Sequence, residues 1–380
     1  MSKKIRIVLT GGGSGGHIYP LLAVAEDIRN WANDYKKDVE ITYMGPKDNH
    51  SLIFVQKGFD ISHIVSGKIR RYFSFQNFLD IPKLFIGFFD ALIKLYFIMP
   101  DAVFSKGGTG AFPVVLAASF YRIPIIIHES DARPGLTNLV SSYFAKKIFV
   151  SFPSVTKYFN PNKTEVTGTP VREELLQNRT TKEAAREMIG FASSSPLIFI
   201  YGGSQGSKRI NNIILENLKD LLEISQIIHQ TGELNFNEVQ KISNAILLET
   251  PFDNRYEVVP YLTDDLRSVF DACDLVIGRA GSATIFEIAA FGKASILIPL
   301  KESANDHQKE NAYAFAQNGA SIILEEDNLF SQIFMNEIKK IILNENIRIK
   351  MENSAKQFFM PDATDKISEG ILKIALKKDK

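Results

Sequence analysis

The chain has 380 residues, 45% hydrophobic and 23% charged, with a formal net charge of +1. That length exceeds one ordinary core and fits two domains, and the composition excludes a disordered or fibrous chain. Near-neutral charge excludes a global field that would draw the chain onto nucleic acid, so any attraction to a membrane must come from a local patch. The single cysteine, Cys273, has no internal disulfide partner and favours a reducing compartment. After Met1-Ser2-Lys3-Lys4 the apolar run stops at a glycine cluster. It is too short for the apolar core of a signal peptide, and the sequence reads as cytoplasmic.

Taken in chain order, the repeating unit is an apolar β-branched run, a glycine-rich turn and a helix-period segment. Ile5–Thr10 leads through glycines 11–16 into a helix over residues 21–31, and residues 39–44 form the next strand. Ala102–Ser105, the turn at 107–110 and Phe112–Phe120 repeat the unit, followed by buried strands at 123–128 and Lys147–Val150. Prolines 153, 161 and 170 mark a boundary. The pattern restarts at Leu197–Tyr201, with later strands at Gln226–Gln230, 256–260, Leu275–Gly278 and 294–299. Continuous apolar strands alternating with helices specify an α/β chain with parallel sheets covered on both faces. The expected architecture is two Rossmann-like domains, 1–165 and 166–362, facing a cleft, with a basic helix at 363–380 packing back on the first. The stretch 84–99 is strongly apolar but carries Asp90 and Lys94 and is too short to span a bilayer.

Gly11, Gly13 and Gly16 satisfy the dinucleotide-binding pattern G-x-G-x-x-G between a strand and a helix. The acid that should follow the second strand is missing: that strand ends Tyr43-Met44-Gly45-Pro46, and Asp48 lies beyond the proline. What survives is a loop whose backbone N–H groups can close on an anion at a helix N-terminus, with a merely tight turn as the alternative. His17 stands at that helix start, where the positive helix end favours the neutral ring that a base needs, or where it simply packs the loop. Gly202 to Ser207, followed by Lys208-Arg209, repeats the anion logic. Thr284 and Glu287 read either as a capping box or as a helix N-terminus facing phosphate, with Glu287 accepting from ribose hydroxyls. His128-Glu129-Ser130-Asp131 ends a strand where open α/β sheets bind ligands. No Asp-x-Asp pair sits at a strand end, and Asp264-Asp265 reads as a loop or helix start, so metal-independent chemistry is expected. Lys68, Arg70, Arg71, Lys83 and Lys94 alternate with Phe73, Phe75, Phe78, Phe85, Phe88 and Phe89. This pattern suits an anionic membrane surface, or a core helix beside a solvated loop.

Together these stretches resemble the MurG family of the GT-B glycosyltransferase class, in family order across nearly the whole chain. They are GGGSGGHIYPLLAVAEDI (11–28), SGKIRRY (66–72), SKGG (105–108), IIIHESDARPGLTN (125–138), GTPVREEL (168–175), GGSQGSKRIN (202–211), HQTGE (229–233), GRAGSATIFEIAAFGKASILIP (278–299) and NDHQKENA (305–312). The resemblance implies a GT-B fold whose C-terminal half binds UDP-N-acetylglucosamine, with no tightly bound cofactor. Arg172 and Ser204 would meet the ribose-phosphate region, backbone near Leu262 the uracil, and Glu287 the ribose. Ser282, Ala283 and Thr284 would face the phosphates, and Gln308 the sugar. Ser14, Gly15 and Gly16 fall near the diphosphates and are grouped with the donor contacts. Gly12, Gly13, Gly107 and Gly108 form the acceptor diphosphate loops. His17 is the implied general base, with Glu129 as second choice. Asp131, grouped with the donor contacts, stands where many members carry an asparagine that contacts the sugar.

The implied reaction is an inverting transfer of N-acetylglucosamine to the muramoyl 4-hydroxyl of an undecaprenyl-diphosphate-linked muramoyl pentapeptide. It would run at the anionic cytoplasmic face of a bacterial plasma membrane, with the protein peripheral and no nucleic acid involved. The rival expectations are a related glycosyltransferase acting on diacylglycerol, a UDP-N-acetylglucosamine epimerase, an NAD-dependent dehydrogenase and a non-enzymatic binding module.

Overall fold

The computed structural model describes residues 4–12, 15–47, 51–66, 75–192, 194–203, 206–248, 250–263 and 265–377. The chain divides into two compact units, Met1–Arg172 with Pro361–Lys380, and Glu173–Met360.

The first unit contains β1 (Ile5–Thr10), α1 (Gly15–Asp34), β2 (Val39–Gly45), α2 (Leu52–Gln56), β3 (Asp60–His63), α3 (Phe75–Ile98), β4 (Ala102–Ser105) and α4 (Phe112–Phe120). It continues with β5 (Ile125–Glu129), α5 (Leu136–Phe144), β6 (Lys147–Val150) and β7 (Thr164–Val166). The strands form one parallel sheet in the order β3-β2-β1-β4-β5-β6-β7. Successive side chains of a strand point to opposite faces, and β1 shows this directly. Ile5, Ile7 and Leu9 join Leu21, Val24 and Ile28 of α1 in one core. Val8 joins Val103, Ile125, Ala91 and Leu95 in the core on the other face.

The second unit runs α6 (Glu173–Leu176), α7 (Lys182–Met188), β8 (Leu197–Tyr201), α8 (Lys208–Glu216), α9 (Leu218–Ile224), β9 (Gln226–Gln230), α10 (Phe236–Leu247) and β10 (Tyr256–Val259). It continues with α11 (Leu266–Ala272), β11 (Leu275–Gly278), α12 (Ser282–Phe291), β12 (Ala294–Leu297), α13 (His307–Ala316), β13 (Ser321–Ile323), α14 (Ser331–Ile342) and α15 (Glu345–Phe358). Its parallel sheet has the order β10-β9-β8-β11-β12-β13. The closing helix, α16 (Ala363–Leu376), belongs to the first unit, where Ile367, Ile371 and Leu372 enter the core that contains α1.

In each sheet the connections run outward in both directions from the central pair, β1 and β4 in the first and β8 and β11 in the second. Such a switch point leaves a crevice at the carboxyl ends of its strands. The glycine turns at 11–16, 107–108, 202–206 and 278–281 all follow these four strands. Three short strands, β3, β7 and β13, add to those read from sequence, and each lies at a sheet edge. The apolar stretch 84–99 lies within the 24-residue helix α3. Among the described residues no helix is long and apolar enough to cross a membrane.

Candidate active site

In the first unit the turns after β1 and β4 pack against each other. The Tyr43 hydroxyl donates to the Gly11 carbonyl at 2.8 Å, and the Gly107 N–H donates to Ser105 Oγ at 3.1 Å. Gly108 has φ +82°, and a β-carbon there would stand 2.8 Å from the Gly12 carbonyl oxygen, so the approach of the two turns requires glycine. His17, in the first turn of α1, is half-buried. Its Cε1 would lie 3.6 Å from a Gly108 β-carbon, which places the imidazole beside the second glycine turn. Two residues on, Tyr19 offers its ring face to the Arg172 guanidinium, 4.4 Å from the ring centroid. Gly15 is buried and Gly16 exposed. Gly13 and Ser14 lie outside the described residues.

Beside these turns a buried polar network closes the end of β5. Glu129 accepts from the N–H groups of Asp131 (3.0 Å) and Gly135 (2.9 Å) and from Asn138 Nδ2 (3.0 Å). Burial, reinforced by the Asp131 carboxylate, pushes the Glu129 pKa up to about 7. Lys106 Nζ meets His128 Nδ1 at 2.7 Å, and His128 Nε2 meets the Gly168 carbonyl oxygen at 2.9 Å. Burial lowers the Lys106 pKa to about 7, opposed by Asp131 and Glu129. His128 falls well below its ordinary value through burial and the adjacent lysine. Glu129 is therefore a structural acceptor for the 130–135 turn, and this occupies the group that the sequence offers as an alternative base.

In the second unit the loop after β8 is tied down from several sides. Gln230 Nε2 donates to the Gly203 carbonyl at 3.1 Å, while its Oε1 accepts from the Leu262 N–H at 3.1 Å. Ser207 caps α8, accepting from the Ile210 N–H at 3.3 Å, and receives Arg279 at 2.7 Å. Arg279 also donates to the Ile298 carbonyl at 3.0 Å and pairs with Glu326 at 2.6 Å. Ser204 lies outside the described residues.

The capping box read at Thr284 and Glu287 is not formed. α12 starts two residues earlier, at Ser282, with Gly281 as its cap, so Thr284 lies inside the helix. Glu287 is buried and accepts from the Tyr201 hydroxyl at 2.8 Å. Ser282 is buried, while Ala283 and Thr284 keep partial exposure at the helix start. Gln308 accepts the Leu300 N–H at 3.0 Å through Oε1. It follows two consecutive left-handed residues, Asn305 (φ 58°) and Asp306 (φ 54°), and strain of this kind concentrates at ligand-binding turns.

Lys83 and Phe85 sit exposed on α3. Lys68, Arg70, Arg71 and Phe73 lie outside the described residues, as does the side chain of Phe75. Sequence reasoning passed over Lys106, Asn138, Tyr201, Gln230 and Arg279. The signal for Lys106 was its place directly after the strand Ala102–Ser105 and directly before two glycines. Among the described residues no group of three or more His, Cys, Asp or Glu side chains comes together to hold a metal.

Comparison with known proteins shows the family. The glycosyltransferase family 28 N-terminal domain matches residues 7–150, and the family 28 C-terminal domain matches residues 197–367. The UDP-N-acetylglucosamine–N-acetylmuramyl-(pentapeptide) pyrophosphoryl-undecaprenol N-acetylglucosamine transferase of Clostridium perfringens is 37% identical, over 98% of this chain and 99% of its own length. The crystal structure of Acinetobacter baumannii MurG superposes with a TM-score of 0.75 at 27% identity, covering 98% of this chain and 100% of that one. The UDP-GlcNAc 2-epimerase from Neisseria meningitidis bound to UDP-GlcNAc shares the fold, with a TM-score of 0.67 at 16% identity, covering 98% of this chain and 100% of that one. Two parallel sheets with glycine turns at both switch points and near-complete coverage at 37% identity place the chain in glycosyltransferase family 28, among the MurG-type N-acetylglucosamine transferases.

Proposed function

We propose that the chain performs the reaction of its relatives by inverting displacement, with its two units dividing the substrates. It is a hexosyltransferase that moves N-acetylglucosamine from UDP-N-acetylglucosamine to the muramoyl pentapeptide carried on undecaprenyl diphosphate. The second unit takes the donor. Its diphosphate lies at the N-termini of α8 and α12, where the helix dipoles favour negative charge. Glu287 accepts from the ribose, the Leu262 region meets the uracil, and Gln308 meets the sugar. Arg172 and Ser204 complete the phosphate contacts.

The first unit takes the acceptor diphosphate on the paired turns at 11–16 and 107–108. His17 removes the proton from the muramoyl 4-hydroxyl, and that oxygen attacks the anomeric carbon. The bond to the β-phosphate breaks, and UDP leaves with the electron pair. Stabilising the departing charge by fixed backbone dipoles removes the need for a metal ion. The observation that carries this reading is the His17 imidazole packed beside Gly108, between the two glycine turns.

Transfer of labelled N-acetylglucosamine to a short-chain acceptor analogue in EDTA tests the reaction and its independence from metal. Donor epimerised without acceptor, or diacylglycerol glycosylated instead, would overturn the assignment. His17→Ala should lower kcat roughly 10²-fold or more. Near-normal turnover in a folded variant would remove His17 as base.

The same reading places the protein on the cytoplasmic membrane face, since the donor is a soluble nucleotide sugar and the acceptor is lipid-anchored. One side of α3 supports docking: Phe85 (63% exposed), Phe89 (60%) and Phe97 (79%) stand on it, with Lys83 exposed nearby. Apolar side chains bordered by cations bind anionic headgroups and the acyl boundary. Phe89→Glu with Phe97→Glu should reduce sedimentation with anionic vesicles and leave transfer to a short-chain acceptor intact. Unchanged vesicle binding would eliminate this face.

A further inference from the structure

Glu287 is the sixth residue of α12 and Tyr201 the last residue of β8, and each is only 7% exposed. A carboxylate taken out of water needs hydrogen-bond donors. Past the first turn of α12 each N–H is spent on the carbonyl four residues earlier, so the helix backbone has no donor to offer it. Of the residues three and four places away, which share its side of the helix, Ala283, Ala290 and Phe291 carry no side-chain donor and only Thr284 does. The Tyr201 hydroxyl reaches across from β8 and donates to Glu287 Oε2 at 2.8 Å.

The ring that carries this hydroxyl is fixed by aromatic packing. It stacks on Phe199 (centroids 5.1 Å apart, 25° between planes) and meets Phe270 edge-on (5.6 Å, 86°). Phe270 of α11 stacks in turn on Phe291 (4.6 Å), one turn beyond Glu287 on α12. The backbone is pinned as well. Gly278 of β11 is the register partner of Tyr201, and a β-carbon at Gly278 would stand 2.6 Å from the Tyr201 carbonyl oxygen. Gly202 and Gly203 follow directly. One residue therefore borders the glycine loop through its backbone and the buried acid through its hydroxyl.

We propose that Tyr201 is a positioning residue for the nucleotide: its hydroxyl, held on the rings of Phe199 and Phe270, fixes the Glu287 carboxylate in the orientation that receives the ribose hydroxyls of a uridine diphosphate. The proposal rests on the reading that the second unit binds the donor with Glu287 at the ribose. A tyrosine hydroxyl suits this task because it donates a single hydrogen bond and brings no positive charge. An arginine in its place would engage both carboxylate oxygens and compete with the ligand for them. Phenylalanine would keep the ring packing and lose only the donor. The carboxylate would then turn to other donors, and each incoming ribose would first have to turn it back.

The test compares UDP with its 2′,3′-dideoxy analogue, which lacks both ribose hydroxyls, by calorimetric titration of the full-length protein. Wild type should favour UDP by roughly tenfold or more, the worth of hydrogen bonds to a charged group. In Tyr201→Phe that preference should shrink about fivefold, with the affinity for the dideoxy ligand within about twofold of wild type. Glu287→Ala should erase the preference, and adding Tyr201→Phe to it should change neither affinity further. The KM for the acceptor analogue should stay at the wild-type value in Tyr201→Phe. A folded Tyr201→Phe that keeps the wild-type preference overturns the proposal. Equal losses on both ligands overturn it too, since they would make the hydroxyl a prop for the glycine loop alone. If Glu287→Ala still prefers UDP to the dideoxy analogue, the ribose reading of Glu287 falls, and the proposal falls with it.

Discussion

Lys106 and Glu129 are charges taken out of water at the ends of two neighbouring strands, β4 and β5, and each leaves its own mark on folding. Glu129 binds its proton up to about pH 7 in the folded chain, against an ordinary value of 4.5. The folded state then holds more protons than the unfolded state between those values, and stability falls as pH rises through that window. Lys106 has the opposite sign: its pKa drops from 10.5 to about 7, so stability rises with pH across that range. Glu129→Gln should therefore flatten the decline in melting temperature between pH 5 and 7, as measured by calorimetry in parallel with wild type. Gly108→Ala introduces a β-carbon at φ +82° and 2.8 Å from the Gly12 carbonyl oxygen. The left-handed conformation alone costs ~1–2 kcal/mol, so both a lower melting temperature and an acceptor kcat/KM reduced at least tenfold are expected. Glycines and His17 were legible in the sequence because turn chemistry is local. Lys106 was not, since a lysine in a string reads as solvated and its burial depends on β5, some twenty residues away.

At the scale of elements, α3 separates stability from surface binding along one helix. Gly87, Ala91 and Leu95 recur every fourth residue and face the core, while Phe85, Phe89 and Phe97 face outward. Leu95→Ala should destabilise the first unit by about 2–5 kcal/mol in denaturant titration. Phe97→Ser should leave that titration within about 0.5 kcal/mol of wild type and still weaken vesicle sedimentation. The central strands were readable because burial on both faces demands an unbroken apolar run, as in Leu197–Tyr201 and Leu275–Gly278. The strands that escaped, β3, β7 and β13, pair on one side only. Asp60–His63 and Thr164–Val166 carry polar residues on half-buried backbone, so no apolar run marks them. The start of α12 was misplaced for a related reason: Thr-x-x-Glu fits a cap by spacing, but Gly281 already serves as the cap, and Glu287 is claimed by Tyr201.

Across the whole molecule the first unit is discontinuous, because 188 residues of the second unit separate Arg172 from Pro361. Ile367, Ile371 and Leu372 of α16 are buried with α1 and the first sheet. Gly370 lies so close to Phe149 that a β-carbon there would stand 2.5 Å from its ring. Burying each large aliphatic side chain contributes roughly 2 kcal/mol, so ending the chain at residue 360 should remove several kcal/mol from the first unit alone. Proteolysis should then cut within the first 172 residues and spare 173–360, and resistance in both units would refute this. The order of synthesis adds a consequence. The ribosome delivers α16 only after the entire second unit has emerged. Until then the α1 face of the first unit is an open apolar surface, at risk of association with other nascent chains. The second unit can close as soon as its own residues are out, so the half proposed to bind the donor matures first. The half that would meet the lipid substrate becomes native only once α16 has emerged.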